Sequence, residues 1–432
     1  MSHSLDGRSE RFFALLRYCR APSQLELPMN IHRPIRLLVS LALCGPAASV
    51  AALASNSAPP RALDPPSVQD GNFGWSIDAS GGKAVIGDFW RSAFVYDFNS
   101  GRELHRLTGH DTKPNDLFGR SVALSNKYAV VGANQAQAAY AFDLETGQEL
   151  WKFSDPNAPA TFGFGFGVSV GVSGELAAIG DLADSTVQSQ AGAVYLYNLL
   201  TGQLARTIYP HSSAVGQFGI AVDLEDDILL VGASGAHEGL PWRGAAYVYD
   251  ANTGQHLRTL VPSGPGRGDN FGTAVAMSGD LALIGAPRSG NGVAYLFNLR
   301  TGEQLHRFVS PGNSGIGDFG RSLAIDGNYA LIGDWSATVD GIFNVGSAYL
   351  FDIVTGDLVR TLEPDRIEYL ASFGFGVALT DQKLLVTQTN GNFNTIVDNV
   401  PEPSAAFIVG AAFLVGMFAR INGRRMQLNL LS

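Results

Sequence analysis

Between residues 70 and 390 the chain is a succession of short apolar runs separated by Gly-rich polar turns. One stretch shows the plan. Phe271 to Met277 (FGTAVAM) alternates and predicts a strand, and Ser278-Gly279-Asp280 predicts a turn. Leu281 to Ala286 (LALIGA) is continuously apolar, the pattern of a strand buried on both faces. After a polar loop, Gly292 to Phe297 (GVAYLF) and Glu303 to Phe308 predict two more strands, joined by the turn Asn298 to Gly302. A Phe-Gly pair opens each such stretch: Phe73-Gly74, Phe118-Gly119, Phe166-Gly167, Phe218-Gly219, Phe271-Gly272, Phe319-Gly320 and Phe375-Gly376. The spacings are 45, 48, 52, 53, 48 and 56 residues. Seven units of about fifty residues, each with four short strands, predict an all-β seven-bladed β-propeller of four-stranded blades.

The third strand recurs most faithfully: AFVYD at 93–97, AYAFD at 139–143, VYLYN at 194–198, AYVYD at 246–250, AYLFN at 294–298 and AYLFD at 348–352. Two residues later comes Ser-Gly or Thr-Gly, from Ser100-Gly101 to Thr355-Gly356. This is hairpin chemistry: Asp or Asn bonds its own backbone and Gly takes the left-handed position. Second strands end in Gly-Asp or Gly-Ala, such as Ile86-Gly87-Asp88 and Ile284-Gly285-Ala286. Small residues there permit close approach of a neighbouring backbone. The seventh unit offers only three strands, Phe375–Leu379, Leu384–Thr387 and Phe393–Val397. Fourth strands elsewhere read Arg-Thr-Leu or Arg-Thr-Ile, and Arg61-Ala62-Leu63 stands just before the first Phe-Gly. Residues near 61–66 are therefore expected to supply the missing strand and close the ring without an open edge.

These elements resemble FG-GAP repeats, the units of the integrin α-chain propeller and of many bacterial surface proteins. Gly268-Asp269-Asn270-Phe271-Gly272 matches the bacterial form well, as does the shorter Gly317-Asp318-Phe319-Gly320. Integrin-type blades often carry an Asp-x-Asp-x-Asp-Gly calcium loop. None stands here, and Asp223-Leu224-Glu225-Asp226-Asp227 has the wrong spacing and lacks the Gly. No metal and no cofactor are expected. Arg267-Gly268-Asp269 is the repeat's own turn with an arginine in front.

Composition narrows the function. Of 432 residues 51 are Gly, charged residues make up 16% and aromatics 10%, which excludes a coiled coil or a disordered chain. A net charge of −10 argues against nucleic acid as a partner. The two cysteines, Cys19 and Cys44, lie near the start. Residues 1–54 are read as a leader and secretory signal peptide. A basic stretch after Met29 precedes the apolar run Leu37 to Ala54, whose Ala52-Leu53-Ala54 ending gives cleavage residues Ala52 and Ala54. Residues 55–399 are read as the propeller, and 400–432 as a sorting tail. In that tail Pro401-Glu402-Pro403 leads into the apolar run Ala405 to Ala419, a short transmembrane helix, followed by the basic residues Arg420, Arg424 and Arg425. It resembles the PEP-CTERM sorting signal of Gram-negative bacteria, which implies exosortase-type machinery as a partner and transient membrane anchoring.

The eight histidines form no metal pattern, and no nucleophile-elbow or phosphate-loop motif occurs. Leu150-Trp151-Lys152 echoes the quinoprotein dehydrogenase repeat in one unit only. The expectation is therefore a non-enzymatic, exported module of the cell surface, envelope or extracellular matrix. It would mediate adhesion or bind exopolysaccharide or a surface protein. The alternative is a polysaccharide lyase or hydrolase with a loop-built active site. The loops Asp181–Gln190 and Ala233–Arg243 are the expected contact face, with Trp242 and Trp335 as candidate ligand contacts through sugar stacking.

Overall fold

The computed structural model describes residues 61–63, 72–157, 164–212, 216–236, 243–263, 269–312, 318–380, 383–389 and 395–400. The expected signal-cleavage residues Ala52 and Ala54, the sorting-tail residues Pro401, Glu402, Pro403, Arg424 and Arg425 with their short helix, and Trp242 lie outside the described residues. Among the described residues no helix is long and apolar enough to cross a membrane.

Seven antiparallel sheets of four strands each form the blades. Blade 1 consists of Ser76–Ser80, Lys83–Gly87, Ala93–Asp97 and Arg102–Leu107, from the innermost strand outwards. Burial explains the hydrophobic pattern. The second strand Tyr128–Ala133 of blade 2 is buried throughout, whereas the outer strand Arg102–Leu107 of blade 1 is buried only at Leu107. The core is correspondingly divided into seven layers, each between two neighbouring blades. Val85, Val95 and Leu107 of blade 1 pack against Phe118, Val131 and Tyr140 of blade 2, for example.

The Phe-Gly pair builds each joint. Phe118 is wholly buried and packs on Tyr140 and Phe142 of its own blade, with ring centroids 5.4 and 6.1 Å apart. Gly119 follows at φ +90°, where a Cβ would stand 2.6 Å from the carbonyl oxygen of Ser92. Its own carbonyl turns to the preceding blade. There the Ser76 hydroxyl donates to it at 2.8 Å, and a Cβ on Gly87 would come within 2.0 Å of it. The close backbone approach expected at the second-strand glycines is this contact. Ser121, Ser169 and Ser322 repeat the hydroxyl bond to Gly167, Gly219 and Gly374.

The third-strand turns form as expected. Asp97 Oδ1 accepts from the Ser100 N–H at 2.6 Å, and Gly101 has φ +69°. Asp143, Asn198, Asp250, Asn298 and Asp352 accept the equivalent bond.

The ring closes through the N-terminal strand. Arg61–Leu63 is the outermost strand of blade 7, beside Thr395–Asn399, with Arg61 opposite Val397 and Leu63 opposite Thr395. Leu63 is fully buried, in one cluster with Phe73, Ile86 and Tyr96 of blade 1 and Leu385 of blade 7. One residue assignment changes here. The seventh structural Phe-Gly pair is Phe373-Gly374, not Phe375-Gly376. Phe373 is the fully buried ring, Gly374 has φ +82°, and the Gly374 carbonyl receives the Ser322 bond. The sequence repeats Phe-Gly twice in succession, and only the pairing of Phe373 with Gln388 distinguishes them.

The joint from blade 7 to blade 1 reverses the usual parts. Gly376 stands where most blades have Ser, and Thr387 where the others have Gly. The Thr387 hydroxyl donates to the Gly74 carbonyl at 2.6 Å and accepts from the Gly376 N–H at 2.9 Å.

Candidate functional site

Strand direction sorts the connections onto two faces. In blade 1 Ser76, Gly87, Ala93 and Leu107 pair in one line across the sheet. The loops from second to third strand and the connections from outer strand to next blade both leave from this end. The opposite end carries the tight Gly turns and the Asp-x-x-Thr-Gly hairpins. All the long, variable segments therefore share one face, termed the loop face. The described parts of both expected contact loops, Asp181–Gln190 and Ala233–Arg243, belong to it.

At the centre of this face the inner strands surround a channel mouth of 450 Å³. The residue after each structural Phe-Gly pair lines it. Around the ring these are Trp75, Arg120, Val168, Ile220, Thr273, Arg321 and Phe375. Blades 6, 7, 1 and 2 supply Arg, Phe, Trp and Arg, and blades 3 to 5 supply only Val, Ile and Thr. The first group makes an aromatic arc. Trp75 lies 3.9 Å from Phe89 and 4.5 Å from Phe375, Phe89 lies 5.5 Å from Trp90, and Trp335 lies 6.3 Å from Phe375, all between ring centroids. All five rings are half-buried.

Phe89 holds its place at φ +65°, a strained value for a bulky residue. The loop is fixed by Asp88, whose Oδ1 accepts from the N–H groups of Trp90, Arg91 and Ser92 at 2.8–3.0 Å. Arg120 lies over the Phe89 ring at 6.0 Å, and its Nε is buried without a hydrogen-bond partner. Burial, and secondarily the like charge of Arg321, hold the Arg120 guanidinium below its usual pKa. Trp335 Nε1 is likewise a buried donor without a partner. Trp335 is thus packed beside the channel mouth, not projecting from a loop.

The channel changes character along its length. Ile77, Val122, Val170, Val222, Val275, Leu323 and Val377 line both its halves and form an aliphatic waist. Beyond it a second cavity of 430 Å³ is lined by Asp78, Asp223, Glu225 and Asp326. Burial pushes Asp78 up to about 6 and Asp223 up to about 7, against the N–H bonds from Leu124 and Met277 that favour their ionised forms. The channel therefore runs from a cationic, aromatic mouth to an acidic end.

A second pocket of 600 Å³ lies on the loop face where blades 2 and 3 meet. In it Asp155, Asp181 and Asp184 bring carboxylate oxygens within 4.8 Å of one another. Tyr195 donates to Asp184 at 2.5 Å, and its hydroxyl is 3.2 Å from Asp155. Burial first, then the neighbouring Asp155 and Asp184 charges, push Asp181 up to about 7. These three carboxylates are the residues that could hold a cation, since hard cations take oxygen ligands. Sequence spacing hides them, because Asp155 and the Asp181-x-x-Asp184 pair come from different blades.

Other flagged residues have structural roles. Trp151 donates its indole N–H to the Leu199 carbonyl at 2.7 Å and covers Gly202 of the next blade's turn. His105, Arg206, Arg258 and His306 occupy the same place over Gly147, Gly254, Gly302 and Gly356. This belt explains why the Trp does not recur. Arg360 instead meets Asp398 of blade 7 at 2.6 Å, since that blade has no such turn. His211 stacks on His256 at 3.8 Å.

The sequence pattern of the FG-GAP repeat family matches residues 102–142 and 256–297. Each match runs from an outer strand, across a joint, to the third strand of the next blade. The crystal structure of the computationally designed Ika8 protein is similar, with a TM-score of 0.51 at 18% identity, covering 78% of this chain and 99% of that one. That likeness concerns the fold alone. No curated protein matches this chain.

Proposed function

We propose that the protein is an exported, non-catalytic binding module that attaches exopolysaccharide or a surface protein through its loop face. The aromatic arc at the channel mouth is the observation that carries this reading. Half-buried rings held by a strained loop supply flat apolar faces beside unpaired donors, which suits a sugar ring better than a core. The FG-GAP propeller is typically a non-enzymatic binding fold, and it lends general support. The export signal read from residues 1–54 and the PEP-CTERM-like tail read from residues 400–432 would suit a protein of the cell surface, envelope or extracellular matrix of a Gram-negative bacterium, with exosortase-type machinery and a transient membrane anchor. Adhesion through a protein partner would use the same face.

One observation favours the alternative of a polysaccharide lyase or hydrolase. Asp181, pushed up to about 7 by burial, stands in a pocket beside Asp155, which burial also raises, and a carboxyl that keeps its proton near neutral pH is what a general acid needs. The two readings divide on one experiment. Purified protein is titrated with polysaccharide extracted from the producing cells, and the polymer's length is followed. Saturable binding at constant length, weakened in Trp335→Ala, is expected. Shortening of the polymer, abolished in Asp181→Asn, would replace the binding reading with the enzymatic one.

A further inference from the structure

Resting on the glycan-binding reading, we infer that the channel mouth selects a carboxylated sugar, its carboxylate held between Arg120 and Arg321 and its pyranose ring on the Trp75–Phe375 arc. Blades 7 and 1, which carry the two rings, lie between blades 6 and 2, which carry the two guanidiniums. A ring seated on the arc is therefore flanked by positive charge on both sides.

Among the described residues Arg120 and Arg321 make no ion pair within 4.0 Å, and Arg120 Nε lacks even a hydrogen-bond acceptor. Asp318 is the acidic group that feels Arg321, and burial raises its own pKa, which weakens it as a counter-ion. Asp88 faces the same arc but spends one oxygen on three backbone N–H groups. In a chain of net charge −10, two like charges kept together at one mouth, with no acid in ion-pair contact with either among the described residues, match an anion. Bidentate guanidinium geometry suits a carboxylate, and the Trp75 and Phe375 rings that line the mouth suit the apolar face of a pyranose. Glu225 and Asp326 at the far end of the channel disfavour the same ligand there and leave the loop face as its place.

The test uses the full chain and tetragalacturonate, with its carboxyl-reduced tetragalactose counterpart as the neutral probe. Calorimetry and tryptophan fluorescence read binding. Tetragalacturonate is expected to bind at least about tenfold tighter than the reduced probe, a ratio that shrinks with salt. Arg321→Gln, at an exposed position that leaves folding intact, is expected to lower affinity for the charged probe about five- to tenfold and to leave the neutral probe unchanged. Arg120→Lys should retain more affinity than Arg120→Gln, because the charge stays and the fork is lost. Equal affinity for the two probes, or an undiminished affinity in Arg321→Gln, overturns the carboxylate assignment while leaving glycan binding intact. No binding by the unaltered chain to either probe or to the cells' own polysaccharide overturns the glycan reading itself.

Discussion

The joint between blades 7 and 1 gives the sharpest test of how the ring is held. Thr387→Val keeps the side-chain shape and removes the hydroxyl. In the native joint that hydroxyl is buried, donates to the Gly74 carbonyl at 2.6 Å and accepts from the Gly376 N–H at 2.9 Å. A typical hydrogen bond contributes about 1 kcal/mol net, and each buried partner left unsatisfied costs about 1–3 kcal/mol. With both the Gly74 carbonyl and the Gly376 N–H orphaned, the expected loss is about 2–5 kcal/mol. Ser121→Ala at the ordinary joint orphans a single group, the Gly167 carbonyl, in place of two, and removes a hydroxyl that is itself only half-buried, so it should cost about 1 kcal/mol. The assay is urea unfolding under conditions where refolding is recovered, with the free-energy change taken from the midpoint shift at constant slope. A second comparison removes the ambiguity of a single variant. Thr387→Gly deletes the hydroxyl, and adding Gly376→Ser recreates the arrangement that blade 1 uses with Ser76 and Gly87. The double variant should regain at least half of what Thr387→Gly loses, a coupling that only neighbouring residues show. If Thr387→Val falls within about 0.5 kcal/mol of wild type, or Gly376→Ser gives no recovery, the joint is not held by this hydroxyl.

Two further outcomes follow from the same geometry. Leu63→Ala should cost about 2–5 kcal/mol, because Leu63 is fully buried in the closing cluster, and deleting residues 56–68 should lower the melting temperature of the whole ring; an unchanged melting temperature in either would separate the N-terminal strand from closure. Asp181, raised to about 7, keeps its proton in the fold where the unfolded chain has lost it, so stability falls as pH rises from about 4 through 7. Asp181→Asn should therefore melt higher than wild type at pH 8, with the gap narrowing steadily as pH falls and closing below about pH 4, and with Asp78 and Asp223 supplying the residual pH dependence; parallel melting curves would exclude this origin.

Much of the ring is legible along the chain because its joints need particular residues. Gly119 and Gly87 are glycines because two backbones touch there, so Phe-Gly and Gly-Ala recur at blade spacing. Arg61-Ala62-Leu63 is legible as a strand because it copies the outer strands of other blades. Phe375-Gly376 is misleading because Phe373-Gly374 offers the same letters two residues earlier, and only pairing decides between them. The channel mouth is harder still. Trp75, Arg120, Arg321 and Phe375 share one repeat position, yet their side chains obey no repeat pattern, since they face the channel and the joint demands no particular residue there. Asp155 and Asp181 become neighbours only when blade 2 meets blade 3. Trp335 stands in a loop by sequence, and the ring turns that loop inward against Phe375.

The shared last blade also sets how the molecule would be displayed. Thr395–Asn399 runs away from the loop face, and Arg61–Leu63 runs back towards it. Chain entry at Arg61 and chain exit at Asn399 therefore stand side by side on the rim opposite the aromatic arc. If the chain were held through a segment that follows residue 399, as the proposed surface display requires, the ring would be gripped by its underside, like a dish on a stalk, with the mouth turned outward. A ligand arriving from the medium would then meet the open bowl first, and cutting such a stalk would leave the bowl unobstructed.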